Sequence, residues 1–174
     1  MGVVLLKPQV KVLADGKKEV TYKNCKPIVY KPIKSPVGLE GNVEALHPAF
    51  REKFKQFLSR LKEVLGKDYS VLITCTFRSF EEQEKLYKEN PKTATKPGES
   101  PHNYGMAADF SVINNKTKVA DTSKPEVIAK VEQVCKELGL FYGMWFKTFT
   151  KEPWHVQLAE TPKWKEIYDK YKEV

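Results

Sequence analysis

The sequence is poor in histidine and cysteine and lacks long apolar runs. Of its 174 residues, three are histidine and three are cysteine. The cysteines, Cys25, Cys75 and Cys135, are far apart and form no CxxC pair, which argues against a zinc knuckle or a disulfide framework. Near the N-terminus the apolar run VVLL ends at Lys7, which is too short for a signal-peptide core or a membrane span. We therefore expect cytoplasmic synthesis without a signal peptide, and no membrane insertion.

Acidic residues are scarce at positions 1–38. Eight lysines there face only Asp15 and Glu19, a net charge of +6 out of +8 for the whole chain. Residues 10–22 alternate around Asp15-Gly16 and predict a hairpin, and the proline-rich residues 23–38 predict an extended connector or an edge segment. Such a basic arm favours a polyanionic partner, namely nucleic acid, anionic lipid or a phosphate-rich wall polymer, although a solvated tail would show the same pattern.

The remaining residues, 39–174, alternate between helical and strand-like apolar patterns. The periodicities, with a Ser79/Glu82 capping box and glycines at two helix ends, predict the following elements in chain order: helix 50–65, strand 69–78, helix 80–90, strand 106–113, helix 126–138, strand 154–158 and helix 164–171. No regular βαβ rhythm is present. The pattern therefore predicts an α+β fold in which a small antiparallel sheet packs against helices.

Three of the predicted strands carry a reactive side chain on their more polar face. Alternation along the strands assigns Arg78, Asp109 and His155 to this face and Cys75 to the opposite, apolar face of the first strand. If the three strands are neighbours in one sheet whose apolar side packs on the helices, the three polar side chains converge on one open surface.

A second histidine, His102, lies in a loop seven residues before Asp109. A lone histidine is usually a hydrogen-bonded, partly buried residue. Two imidazoles and one carboxylate, however, suit Zn²⁺ and leave a fourth position for water, so His102, Asp109 and His155 are a candidate catalytic zinc site. Glu152 is the candidate general base, and Arg78 could stabilise the negative charge of a tetrahedral intermediate.

Four of these residues, His102, Asp109, Glu152 and His155, lie in two motifs that resemble those of the zinc D-alanyl-D-alanine carboxypeptidase and L-alanyl-D-glutamate endopeptidase family. SPHNYGMAAD at 100–109 fits S-x-H-x-x-G-x-A-x-D, and EPWH at 152–155 fits E-x-W-H. The resemblance implies that His102, Asp109 and His155 are the zinc ligands, Glu152 the base and Arg78 the oxyanion stabiliser. It also implies that Ser100 and Gln83 lie near the substrate, and that the fold is the one shared with the hedgehog signalling domain.

The substrate implied by the resemblance is the stem peptide of bacterial peptidoglycan. The upstream segments LHPAFREKFKQFL at 46–58 and FRSFEEQEKLY at 77–87 resemble phage lysins, so we expect an endolysin-type L-alanyl-D-glutamate endopeptidase that acts on the cell wall after release. Because EPWH is more like the carboxypeptidase branch, a D-alanyl-D-alanine carboxypeptidase or dipeptidase stays open. We expect a monomer with a basic arm, residues 1–38, that binds anionic wall polymers, and a zinc peptidase domain, residues 39–174.

Two further classes of function are weaker alternatives. A metal-dependent nuclease would suit the basic charge, but that charge lies on the arm rather than around the site, and the aromatic pattern of nucleic-acid modules is absent, so we expect no nucleic-acid partner. A non-catalytic zinc-binding wall module would have no need for a general base, and Glu152 is present.

Overall fold

The computed structural model describes residues 4–147 and 150–174, and its elements follow the predicted order closely. In chain order they are β1 (Gln9–Val12), β2 (Lys18–Thr21), β3 (Ile28–Tyr30), α1 (Pro48–Leu65), β4 (Tyr69–Cys75), α2 (Phe80–Glu89), β5 (Ala107–Asn114), α3 (Pro125–Leu138), β6 (Phe141–Tyr142), β7 (His155–Gln157) and α4 (Lys163–Lys170). The short strand β6 was not predicted, because two residues give no detectable alternation.

The central sheet has four antiparallel strands in the order β4-β5-β7-β6. One face packs on α1 and α3, where the ring of Phe57 on α1 meets that of Phe110 on β5 at 5.5 Å between centroids. The other face is more open, since Leu72 on β4 and Trp154 just before β7 are each 40% exposed. The α+β fold with a small antiparallel sheet and packed helices is thus confirmed.

Helices α1 and α3 bury the apolar stripes that the sequence shows. On α1 the buried side chains recur at helical spacing, and α3 begins with Pro125 and ends before Gly139, which has a φ of +68°. Helix α2 carries the predicted capping box, in which the Ser79 hydroxyl accepts from the Glu82 backbone and the Glu82 carboxylate accepts from the Ser79 backbone.

The basic N-terminal segment forms a three-stranded sheet in the order β1-β2-β3, which contains the predicted hairpin. Val20, Tyr22 and Tyr30 are buried in the same hydrophobic cluster as the helices of the body. Lysines of the segment also pair with acidic residues of the body, as Lys23 does with Asp169 at 2.6 Å. The separate roles predicted for the arm, residues 1–38, and for the peptidase domain, residues 39–174, stay a prediction.

No helix in residues 4–147 and 150–174 combines the length and apolar character needed to cross a bilayer.

The third histidine, His47, has a structural position that the sequence did not indicate. It precedes α1, where its Nδ1 accepts a hydrogen bond from the Ala49 backbone at 3.0 Å, and its ring packs against Tyr22, Tyr168 and Tyr171. It therefore links the N-terminal sheet, α1 and the C-terminal helix. Burial, with a smaller effect of the Arg51 charge, lowers the pKa of His47 to about 3.

We expect His47 to make the fold acid-sensitive. The unfolded chain binds a proton on this residue below about pH 6.5, whereas the folded chain does so only near pH 3. The contribution of His47 to the free energy of unfolding is therefore full above pH 6.5. Below that pH it falls by about 1.4 kcal/mol per pH unit. Denaturant unfolding at pH 7.5 and 5.0 should show that the wild type loses about 2 kcal/mol more than His47→Asn, which keeps a capping side chain but does not titrate. Equal losses in the two proteins would contradict this assignment.

Candidate functional site

Three adjacent strands bring Cys75, Asp109 and His155 into one row across the central sheet. Asp109 on β5 pairs directly with Cys75 on β4 and with His155 on β7. Directly paired residues of antiparallel strands point to the same face, so all three side chains lie on the face away from α1 and α3. The predicted convergence of Asp109 and His155 therefore occurs, and Arg78 joins them with its Nη2 3.8 Å from Asp109 Oδ2.

The predicted position of Cys75 on the apolar face is wrong. The pairing of β4 with β5 shifts register between Ile73 and Cys75, which is a β-bulge at Thr74. Because one extra residue reverses the alternation, Cys75 moves to the polar face beside Asp109, while Ile73 still packs opposite Phe110 on the core side.

A short 3₁₀ turn, Pro101–Tyr104, delivers His102 to this row. The Ser100 hydroxyl caps the turn by accepting from the His102 backbone at 3.3 Å, and Gly105 closes it with a φ of +66°. A Cβ atom at Gly105 would collide with Tyr22 and the backbone of His47, so the position needs glycine for space as well as for conformation. Turn and glycine together set where His102 enters the site.

In the neutral imidazoles, hydrogen bonds to acceptors other than Asp109 assign the proton to one nitrogen of each ring. Nδ1 of His102 lies 2.9 Å from the Thr76 carbonyl oxygen, which can only accept, so Nδ1 donates and Nε2 keeps a lone pair. Nε2 of His155 lies 2.8 Å from Gln157 Oε1, and the Gln157 amide nitrogen donates to the Ala159 carbonyl, which defines the amide orientation. Nδ1 of His155 therefore keeps its lone pair.

Both lone pairs point at the same carboxylate oxygen. Asp109 Oδ1 lies 3.1 Å from His102 Nε2 and 2.8 Å from His155 Nδ1. Three electron-pair donors that face one another without a proton between them repel, unless a cation binds among them or an imidazole gains a proton. The chemistry of this donor set therefore fits a divalent metal such as zinc.

The pKa shifts of the three groups reflect their close contact and, without a metal, favour a proton on His155 beside Asp109. Burial alone would raise the pKa of Asp109, but the imidazoles of His102 and His155 outweigh it and hold the pKa well below its usual value. Burial lowers the pKa of His102. For His155, burial lowers the pKa, but the hydrogen bond to Asp109 and the charges of Asp109 and Glu152 outweigh it, so the net shift is upward.

A second donor set overlaps the first, since ligand atoms of Cys75, His102 and Asp109 lie within 4.8 Å of one another. The Cys75 sulfur, however, lies 3.7 Å from Nδ1 of His102, the nitrogen that donates to Thr76. Burial also raises the pKa of the Cys75 thiol to about 12, which opposes the thiolate that metals prefer. The cysteine is thus the less suitable third donor.

Glu152 lies at the edge of the row. Its Oε2 is 3.8 Å from His155 Nδ1, and burial raises the pKa of its carboxyl. The Glu152 backbone nitrogen donates to the carbonyl of Gly143, and a Cβ atom at Gly143 would collide with Glu152 and His155. Gly143 therefore lets the chain bring a carboxylate beside the donor set, where it can accept a proton from a nearby water.

The Arg78 guanidinium is held from one side. Its Nη1 donates to Gln83 Oε1 at 3.0 Å, its Nη2 lies 3.4 Å from the Cys75 sulfur, and its buried Nε has no hydrogen-bond partner among the described residues. Gln83 in turn donates to the Thr95 carbonyl at 2.8 Å and is 1% exposed. The guanidinium is thus held beside Asp109, and its terminal nitrogens keep further N–H donors there.

Gln83 and Ser100, predicted near the substrate, both make internal contacts here. Gln83 orients Arg78, and Ser100, 5% exposed, caps the turn that carries His102. A direct contact of either with substrate stays a prediction.

We expect Gln83→Ala to act through Arg78. Without the amide acceptor the guanidinium gains freedom, and kcat should fall about 10-fold or more with little change in KM. Thr95→Ala is the matched control, because Gln83 donates mainly to the Thr95 backbone carbonyl, which that variant keeps. Steady-state kinetics on a soluble stem peptide measure both constants. A rise in KM at constant kcat would instead indicate that Gln83 contacts the substrate directly.

Of the residues that support the site, Thr76 and Gly143 were not predicted from the sequence, whereas Gln157 could have been. Strand alternation did place Gln157 on the face of His155, so its role was accessible from the pattern. Thr76 acts through its backbone carbonyl and Gly143 through the side chain it lacks, so no side-chain pattern could have indicated either one.

Comparison with known proteins gives the same picture. Residues 43–160 match the VanY family, described as D-alanyl-D-alanine carboxypeptidase. The peptidoglycan L-alanyl-D-glutamate endopeptidase CwlK of Bacillus subtilis (strain 168) is 34% identical over 127 residues, which is 65% of this chain and 73% of that protein.

Solved structures with the same fold include two peptidases of this kind. The L-Ala D-Glu endopeptidase ChiX of Serratia marcescens has 18% identity and a TM-score of 0.50 over 68% of this chain and 84% of its own. A mutant of the vancomycin-resistance D,D-pentapeptidase VanY from a VanB-type resistance cassette, in complex with Zn(II), has 12% identity and a TM-score of 0.51 over 93% and 84%.

The family match covers most of the chain, and it contains both motifs and the whole row of donors. The resemblance inferred from those motifs is therefore confirmed, as is the expectation of an enzyme. The chain belongs to the VanY D-alanyl-D-alanine carboxypeptidase family of metallopeptidases and is a peptidoglycan peptidase of the VanY/CwlK type.

Proposed function

We propose that this peptidase is a zinc-dependent L-alanyl-D-glutamate endopeptidase of the peptidoglycan stem peptide. The observation that carries the metal chemistry is the convergence of three possible ligand atoms, His102 Nε2, Asp109 Oδ1 and His155 Nδ1, beside the carboxylate of Glu152. The bond is proposed from CwlK, the relative with 34% identity, which is named for cleavage of that bond.

In the proposed mechanism the chain's own groups position the reactants and move the protons. A zinc ion held by His102 Nε2, Asp109 and His155 Nδ1 would supply Lewis-acid activation of water. Glu152 accepts the proton of the attacking water and returns it to the leaving amine, and its raised pKa suits both steps. Arg78 directs its guanidinium at the oxygen on which negative charge develops.

A D-alanyl-D-alanine carboxypeptidase or dipeptidase is the second candidate. It is supported by the description of the matched family and by the EPWH motif at 152–155. The two activities differ in their products, because an endopeptidase separates L-alanine from D-glutamate inside the stem, whereas a carboxypeptidase releases single D-alanine.

Mass spectrometry of digested peptidoglycan, with and without a chelator and added Zn²⁺, tests the proposal. We expect new L-alanine C-termini and free D-glutamate N-termini, both abolished by the chelator. Release of D-alanine alone would move the protein to the second candidate. No cleavage of either bond by the zinc-loaded protein would contradict both and favour a non-catalytic wall module.

The biological role proposed for this activity is bacterial wall lysis by an endolysin-type enzyme acting as a monomer, based on the lysin-like segments 46–58 and 77–87. The lysines of residues 1–38 are proposed to contact anionic wall polymers. Deleting this segment is a poor test, because Val20, Tyr22 and Tyr30 belong to the core. Charge reversal of exposed Lys26 and Lys31 should instead weaken sedimentation with purified walls while catalysis on a soluble stem peptide is unchanged.

A further inference from the structure

A groove of about 390 Å³ lies on the open face of the central sheet, next to the donor row. Asp109 and Cys75 form part of its wall, so the groove is continuous with the candidate metal site. Its volume is in the range of pockets that hold small ligands. A substrate bound at the metal site therefore has a direct path into it.

One wall of the groove comes from the N-terminal segment. Val37 and Leu39 line it together with Trp154 and with Thr122 from the loop before α3. They belong to a tight turn in which the Gly38 nitrogen donates to the Ser35 carbonyl at 2.9 Å and Gly38 has a φ of +81°. This turn, residues 35–39, lies outside the part of the chain that matches the family, residues 43–160.

The 35–39 turn is fastened to the strand that carries Cys75. The Ser35 hydroxyl donates to the Thr74 carbonyl at 2.7 Å, and the Thr76 nitrogen donates to the Glu40 carbonyl at 2.8 Å. The Ser35 nitrogen also donates to the Leu39 carbonyl at 2.8 Å, which closes the turn on itself. The wall is thus fixed relative to the metal site, although Val37 itself is 61% exposed.

The groove is uncharged apart from Asp109. Its lining combines the apolar residues Val37, Leu39 and Trp154 with serines and threonines, and none of the described residues that line it is a lysine, arginine or histidine. The lining itself thus offers a free carboxylate no cationic side chain, because the Arg78 guanidinium lies against Asp109 and Cys75, where the groove meets the metal site. An uncharged peptide segment with small aliphatic side chains suits the lining.

We propose that this groove is the subsite for an uncharged, aliphatic part of the stem peptide, and that the 35–39 turn determines its specificity. The inference rests on the proposed function for the identity of the peptide. It gives part of the basic arm a role in substrate recognition beside the catalytic centre.

Charge substitutions of opposite sign at Val37 test the inference. Val37→Lys and Val37→Glu should both raise KM for a synthetic stem peptide, by about 10-fold, with kcat within about 2-fold of the wild type. The matched controls Val12→Lys and Val12→Glu alter an exposed valine of β1 that does not line the groove, and should leave KM unchanged. Melting temperatures and zinc contents of all four variants should equal those of the wild type.

The sign of the response distinguishes the outcomes. If Val37→Lys lowers KM while Val37→Glu raises it, the groove holds a carboxylate and the inference is overturned. If neither substitution changes KM, the turn is no part of the subsite. Calorimetry measures binding of the same peptide to Glu152→Gln, with and without Val37→Lys, in the absence of turnover. Weaker binding with Val37→Lys would support the subsite even if the proposed catalytic activity were absent. Equal binding would contradict the subsite whatever the activity.

Discussion

Replacing Glu152 by glutamine should abolish turnover without releasing the metal. We expect kcat on the stem peptide to fall by about 10²- to 10⁴-fold, because the amide can neither accept the proton of the attacking water nor return it to the leaving amine. Zinc content should stay at the wild-type level, since the proposed donors are His102, Asp109 and His155.

Glu160→Gln is the matched control for this substitution. It makes the same chemical change at an exposed carboxylate close to the end of β7, and it should keep full activity. Zinc measured by plasma emission spectroscopy, together with kinetics on the same preparations, separates loss of the base from loss of the metal. A Glu152→Gln protein that retains more than about a tenth of the wild-type kcat would show that another group moves the proton.

The second large effect is expected from His155→Ala compared with Cys75→Ala. Removing one of three protein donors should weaken zinc binding by about 10²- to 10³-fold, if each ligand supplies about 3–4 kcal/mol of the binding free energy. His155→Ala should therefore lose its zinc on dialysis against a weak chelator and lose its activity with it.

Cys75→Ala should retain its zinc, because the cysteine faces the nitrogen of His102 that donates to Thr76. The two variants together discriminate between the two overlapping donor sets. If Cys75→Ala lost its zinc and His155→Ala retained it, the metal would be assigned to Cys75, His102 and Asp109. Competition with a chromogenic chelator measures both affinities under one set of conditions.

Local patterns allowed much of this site to be predicted. The two motifs hold His102 within seven residues of Asp109, and Glu152 within three of His155, so short segments carry most of the geometry. Strand alternation then placed Asp109 and His155 on one face, and their strands are indeed neighbours.

What could not be predicted depends on contacts between distant parts of the chain. The bulge at Thr74 reverses the side of Cys75, and an alternating pattern carries no signal for one extra residue. The structural position of His47 could not be predicted, because the tyrosines that enclose its ring come from the distant positions 22, 168 and 171. The N-terminal strands bury Val20 against a core built from later elements. The high charge of these strands gave no indication of this burial.

Anomalous diffraction at the zinc absorption edge, from crystals of the zinc-loaded protein, locates the metal and so tests whether His102, Asp109 and His155 bind it. We expect one strong peak at bonding distance from His102 Nε2, Asp109 and His155 Nδ1, about 2.0–2.2 Å from each, with the Glu152 carboxylate nearby. A peak bonded to the Cys75 sulfur, or no peak among these residues in crystals that contain zinc, would contradict it.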